Sequence, residues 1–107
     1  RKDNMIITGG DHVYPSEVEA VVAAHPDVFD AAVIGLPDPK WGEKVAAVII
    51  PKESAKGKLT EKDIADLCRE KMAGYKRPKE VIFIDRDEMP RTPTGKILHR
   101  ILRETYK

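Results

Sequence analysis

The chain has 107 residues, 41% of them apolar, a length that suits one domain and leaves little room for a second hydrophobic core. Its 19 Lys and Arg are interspersed with 18 Asp and Glu along most of the sequence, which excludes the strong field of a dedicated nucleic-acid binder. No run approaches the roughly 18 to 20 apolar residues that cross a bilayer, and Arg1-Lys2-Asp3-Asn4 lacks the apolar segment that a secretory signal places behind its first basic residues, so a soluble chain is expected.

The first segment, Met5-Ile6-Ile7-Thr8, reads as a short strand stopped by Gly9-Gly10, a pair free to adopt positive φ or to admit another molecule close to the backbone. A helix is expected next, capped by Ser16 with Glu19 returning the capping-box bond, its stripe Val18, Val21 and Val22 running to the stop at His25-Pro26. Ala31-Ala32-Val33-Ile34 reads as a buried strand ending at Gly35-Leu36-Pro37-Asp38-Pro39, where two prolines argue for a turn. Beyond a loop carrying Trp41 and Gly42, Val45-Ala46-Ala47-Val48-Ile49-Ile50 has the unbroken apolar character of a central strand covered on both faces, and Pro51 ends it.

A surface loop from Lys52 to Lys58 leads to Thr60, a helix cap, and to Ile64, Leu67, Cys68 and Met72 at helical spacing before Gly74 closes the helix. Val81-Ile82-Phe83-Ile84 is a fourth strand by sequence, and Ile97, Leu98, Ile101 and Leu102 mark a short terminal helix. The order β-α-β-β-α-β-α predicts an α+β domain that buries one face of a small sheet beneath its helices. Cys68 has no second cysteine to pair with and falls at a core spacing, which fits a reduced, buried thiol and a cytosolic setting.

Few arrangements point to chemistry by themselves. Lys96 follows Pro93-Thr94-Gly95, where a permissive glycine can project the ammonium group outward, yet a solvated side chain is the ordinary reading of such a lysine. The loop is no Walker A motif, because Pro90 stands at the first glycine position and Ile97 follows the lysine. His12, His25 and His99 show no zinc spacing with Cys68, and Asp85, Asp87 and Glu88 read as a solvated strand exit, so no metal site is expected. The tail Lys96, His99, Arg100, Arg103, Lys107 is locally basic, in the manner of a solvated helix face or a surface for an anionic ligand.

One ordered set of short motifs is far more specific. Arg1-Lys2-Asp3-Asn4-Met5-Ile6-Ile7-Thr8-Gly9-Gly10 and Val13-Tyr14-Pro15-Ser16-Glu17-Val18-Glu19 are followed by His25-Pro26-Asp27-Val28, Ala31-Ala32-Val33-Ile34-Gly35-Leu36-Pro37-Asp38 and Gly42-Glu43. Tyr75-Lys76-Arg77-Pro78 and Pro90-Arg91-Thr92-Pro93-Thr94-Gly95-Lys96-Ile97 complete it. The set covers nearly the whole chain and resembles the C-terminal domain of AMP-forming acyl-CoA synthetases, in the adenylate-forming ligase superfamily.

The resemblance implies that residues 1–4 are a hinge and junction remnant, that residues 5–107 are a mobile lid domain, and that a large N-terminal domain of the same polypeptide is absent. The parent enzyme would join a carboxylic acid, with a fatty acid preferred, to ATP as an acyl-adenylate with release of pyrophosphate. It would then pass the acyl group to coenzyme A with release of AMP. By the same resemblance Lys96 is the catalytic lysine of adenylation, Asp3 the hinge, Arg1 a nucleotide-ribose contact, and Gly9 and Gly10 the lining of the coenzyme A passage. Mg²⁺ is expected to arrive with ATP, and no residue of this chain is its ligand. His12 stands where relatives often carry asparagine or arginine, so no contact is assigned to it, while Tyr75-Lys76-Arg77 either meets coenzyme A phosphates or is exposed charge. A cytoplasmic parent follows, with membrane association as its variant, and the isolated fragment is expected to be inactive. The competing readings are another adenylate-forming enzyme, such as a luciferase or a carrier-protein loading domain, and a noncatalytic interaction module.

Overall fold

The computed structural model describes residues 5–107, and it builds them around one long strand. The apolar run from Val45 to Ile50 lies in β4 (Gly42–Pro51), and all six of its residues are buried. It pairs antiparallel along nearly its full length with β3 (Val28–Asp38). On its other side β4 meets β1 (Ile6–Thr8) at Gly42 and then runs parallel with β5 (Glu80–Phe83). A further short strand, β2 (Asp11–Val13), pairs with β1 and completes a five-stranded mixed sheet.

Alternation along the central strands divides the core in two. Val45, Ala47 and Ile49, with Ala31 and Val33, pack against Val18 and Val22 of α1 (Pro15–Ala23) and Ile64 and Cys68 of α2 (Glu61–Lys71). Ala46, Val48 and Ile50, with Ala32, Ile34 and Leu36, face Ile84, Met89 and Leu102, the last on α3 (His99–Tyr106). Helices therefore cover both faces of the sheet, where one was expected, because the terminal helix crosses to the side opposite α1 and α2. The fold is α+β. Among the described residues no helix is long and apolar enough to cross a membrane.

Several local expectations are corrected by identifiable physical causes. Gly9 and Gly10 connect two strands, since their φ values of 57° and 87° make the tight two-residue turn of a hairpin, and the observed order is β-β-α-β-β-α-β-α. Pro15 stands at the first position of α1, its fixed φ starting the helix before Ser16, so Tyr14 is the N-cap and makes no side-chain cap bond. Glu19 is left for other work. Pro37 lies inside β3, paired with Glu43, because β3 is an edge strand and its outward side needs no amide donor. The second helix ends at Lys71, and Gly74 opens a separate turn, Gly74–Lys76. Ile97 precedes the terminal helix, in a bridge with Arg91.

Other expectations hold. Thr60 caps α2 in a capping box: the Asp63 amide donates to Thr60 Oγ1 at 3.2 Å and the Thr60 amide donates to Asp63 Oδ2 at 2.9 Å. Cys68 is fully buried, and desolvation pushes its thiol pKa up.

Candidate functional site

Lys96 sits on a tight loop between Pro90 and Leu98. The Leu98 amide donates to Pro90 O at 2.9 Å, the Thr92 amide to Lys96 O at 2.8 Å, and the Gly95 amide back to Thr92 O at 2.8 Å. The hydroxyl of Thr92 accepts from the Lys96 amide at 3.1 Å. Gly95 has φ of 95°, a turn conformation that a side chain would strain, and it places Lys96 on the exposed side of the loop. Among the described residues no ion pair holds the Lys96 ammonium group, so the backbone is fixed while the charge is presented outward.

The base of this loop is tied to the rest of the domain at two points. The Arg91 guanidinium donates to Gly95 O through Nη1 at 3.0 Å and to Asp30 Oδ2 through Nη2. On the other leg, His99 Nε2 lies 2.7 Å from Glu19 Oε2, and that same oxygen accepts from the Val33 amide at 2.8 Å. Glu19 thus joins α1, β3 and α3.

Gly9 and Gly10 occupy a different place. The Gly9 amide donates to Trp41 O at 2.8 Å, and a Cβ built on Gly9 would stand 2.7 Å from Trp41 Cε3, so the indole packs over bare backbone. The Lys40 and Trp41 amides both donate to Asp38 Oδ1, which holds the Asp38 carboxyl below its ordinary pKa, the Trp41 bond being the larger cause. Lys40 Nζ lies 4.9 Å from the ring centroid, in the range of a cation–π contact. Around this turn lies a shallow cleft of about 150 Å³ lined by Thr8, Gly9, Asp11, Trp41, Tyr75 and Lys79, among others. Gly10 is open, with nothing within 4 Å of its would-be Cβ.

The two places lie at opposite ends of the sheet. The glycine turn adjoins Gly42 at the start of β4, whereas Arg91 ties the lysine loop to Asp30, whose strand partner is Ile50 near the end of β4. About eight residue steps of strand separate Gly42 from Ile50, or about 26 Å. The cleft at the glycine turn does not include Lys96.

Arg1 and Asp3 lie outside the described residues. His12 is exposed on β2, where it opposes Ile7. Lys76 and Arg77 are less free than their sequence suggests: Lys76 Nζ is 3.5 Å from Glu17 Oε2, and Arg77 Nε donates to Met72 O at 3.2 Å. Asp85 and Glu88 form the capping box of a short turn, Arg86–Glu88, consistent with a solvated strand exit. Among the described residues no group of three or more His, Cys, Asp or Glu side chains is gathered as a metal site. The sequence reading missed Arg91 and Asp30 as partners, the bonds of Glu19 to Val33 and His99, and Trp41 as the cover of Gly9. Contact across 61 residues leaves no local signal, although Arg91 does fall inside a recognised motif.

A family model described as the AMP-binding enzyme C-terminal domain matches residues 17–96. Across 106 residues the chain is 47% identical to a long-chain-fatty-acid–CoA ligase, FadD13, of Mycobacterium tuberculosis, covering 99% of this chain and 20% of that protein. It is 40% identical over 104 residues to a 2-succinylbenzoate–CoA ligase of Bacillus cereus, covering 97% and 20%. Among solved structures, ATP-bound MatB from Rhodopseudomonas palustris superposes with a TM-score of 0.92 at 39% identity, over 100% of this chain and 20% of that one. The chain spans about a fifth of the length of the relatives it matches.

Proposed function

We propose, from the premise that this chain belongs to the AMP-binding enzyme C-terminal domain family, that it is the reorienting lid of an AMP-forming carboxylate–CoA ligase. Residues 1–4 would serve as its hinge, with Asp3 as the pivot and Arg1 reaching the nucleotide ribose. A large N-terminal domain of the same polypeptide would hold the main nucleotide and acyl pockets. One observation carries the reading: the lysine loop and the glycine turn stand at opposite ends of one rigid sheet. A domain built this way can serve a single cleft with both ends only by turning, which suits two successive reactions.

In the first, the substrate carboxylate attacks the α-phosphorus of ATP, and pyrophosphate leaves. Lys96 contributes charge there, its ammonium group bridging the attacking oxygen and the growing negative charge around phosphorus once closure removes water. No base is needed, because a carboxylic acid is already ionised at neutral pH. In the second, the thiol of coenzyme A attacks the acyl carbon and AMP leaves, with the bare backbone of Gly9 and Gly10 letting a thin ligand pass. Mg²⁺ would enter on the ATP phosphates and be held outside this chain. A fatty acid is the preferred substrate because the 47% identical relative is a long-chain-fatty-acid–CoA ligase, with an aromatic acid second through the 2-succinylbenzoate ligase at 40%.

The test is Lys96→Ala in the full-length protein, after a panel of fatty and aromatic acids has identified one that is used. Carboxylate-dependent exchange between ATP and pyrophosphate should fall by about 100-fold or more, while CoA-dependent consumption of preformed acyl-adenylate stays within about twofold. Unchanged exchange in a folded variant would remove Lys96 from the chemistry.

A further inference from the structure

The electrostatic role proposed for Lys96 needs its ammonium group in one place, yet this side chain has no partner of its own among the described residues. Its position is therefore inherited from the backbone of Gly95 and Lys96. That backbone could swing as a flap if its only ties were the hydrogen bonds inside the loop, since these move with the loop. Among the described residues two polar ties reach outside it, beside the packing of Ile97 against the apolar cluster of Ile34, Val48 and Leu102. One is His99 to Glu19, at 2.7 Å, beyond the loop on the first residue of α3. The other is Arg91, a single side chain that grips both the loop and the sheet: Nη1 donates to Gly95 O, one residue before Lys96, and Nη2 donates to Asp30 on the edge strand β3.

We infer that Arg91, anchored by Asp30, is a positioning residue that fixes Lys96 for the adenylation half-reaction, an inference that rests on the role proposed for Lys96 above. The planar guanidinium suits this work because its two nitrogens are rigidly related, so gripping a carboxylate on one side fixes the direction of the other. Asp30 is itself held: its Oδ1 accepts from the Ala31 amide at 2.8 Å, at the start of the buried run of β3. Both side chains are about one-third exposed, at 32% and 34%. At that exposure an ion pair contributes little to global stability, so its effect should appear in geometry before it appears in folding. A displaced ammonium group costs rate, because charge stabilisation depends on alignment with the reacting phosphorus.

The experiment uses the full-length protein with Arg91→Ala, Arg91→Lys, Asp30→Asn and, alongside, Lys96→Ala. For Arg91→Ala and Asp30→Asn, the kcat of ATP–pyrophosphate exchange should fall between about 10- and 100-fold, with KM for ATP within about twofold. Consumption of preformed acyl-adenylate by CoA should also stay within about twofold, which doubles as a check of folding. Arg91→Lys, able to keep either contact but not both, should be intermediate. Should Arg91→Ala fail to fold, Asp30→Asn carries the test, since it is nearly isosteric and only weakens the anchor. Exchange at the parent rate in the Arg91 and Asp30 variants, with Lys96→Ala still defective, overturns the positioning role and leaves the half-reaction assignment standing. Equal losses in both half-reactions would mark the pair as merely structural and overturn it too. Retained exchange in Lys96→Ala would remove the underlying reading and this inference together.

Discussion

Gly9 and Gly10 are neighbours in one turn, but they are glycine for different reasons. Both have positive φ, a conformation that costs a side chain about 1 to 2 kcal/mol. Gly9 has a second constraint, because its Cβ would meet the Trp41 ring at 2.7 Å, inside any tolerable contact, whereas Gly10 faces open space. Gly9→Ala should therefore destabilise the chain by about 2 to 4 kcal/mol, strain and displaced packing together. Gly10→Ala should cost about 1 kcal/mol, the strain being partly offset because a stiffer unfolded chain loses less entropy on folding. Urea unfolding midpoints of the two variants would check this, and equal shifts would contradict the packing of Trp41 on the turn. Sequence marked the glycine pair through its freedom of φ but gave no hint of Trp41, which arrives from 32 positions away by hydrogen bonding to Gly9. Lys96 was legible only through the motif around it, because an exposed lysine carries no signature of its own. Glu19 looked like a helix cap by spacing, and only the fixed φ of Pro15, together with tertiary contact, explains why it bonds Val33 and His99 instead.

Among the elements, α2 behaves as its sequence dictates. Thr60, with an extended backbone and a hydroxyl that accepts from the Asp63 amide, satisfies donors that the first helical turn leaves open, and Asp63 returns the bond. Thr60→Ala should cost about 1 kcal/mol in chemical denaturation. The Asp63 carboxyl lies below its ordinary pKa of 3.8, first because the Thr60 amide donates to it and second because of the Thr60 hydroxyl. The sign follows from linkage. A carboxylate depressed in the folded state contributes stability above its unfolded pKa and loses it as pH falls through the folded value. The difference in stability between the parent chain and Asp63→Ala should thus be greatest near neutral pH and shrink below about pH 3.8, read as urea midpoints across that range. Strand readings were less secure for equally physical reasons. Asp11-His12-Val13 has one buried residue in three, too little alternation to announce β2. Pro37 looked like a terminator because sequence alone does not say which strand is an edge. On that edge the Ala31 amide donates to Asp30 and the Val33 amide to Glu19, while Pro37 has no amide to offer. The outward side of β3 is thus blunted at positions 31, 33 and 37, a defence against pairing with another sheet.

At the scale of the whole molecule, the sheet sets a distance. Its two-sided core runs along β3 and β4 without interruption, so the ends that carry Lys96 and Gly10 move together as one body. Substitutions at opposite ends of the sheet with no shared partners should not couple within the domain. In the full-length protein, Gly10→Leu adds bulk where the turn is open, and should slow thioester formation from preformed acyl-adenylate by about 10-fold or more while leaving ATP–pyrophosphate exchange within about twofold. Lys96→Ala should do the reverse. The informative variant is the double one. If the domain presents one end per half-reaction, each rate in the double variant should equal that of the single variant that damages it, with no added loss from the remote change. A domain that offered both ends to the cleft at once, or a turn and a loop that communicated through the sheet, would make the defects compound in at least one half-reaction. Measuring both half-reactions in all four proteins therefore separates alternation of a rigid lid from a single composite site.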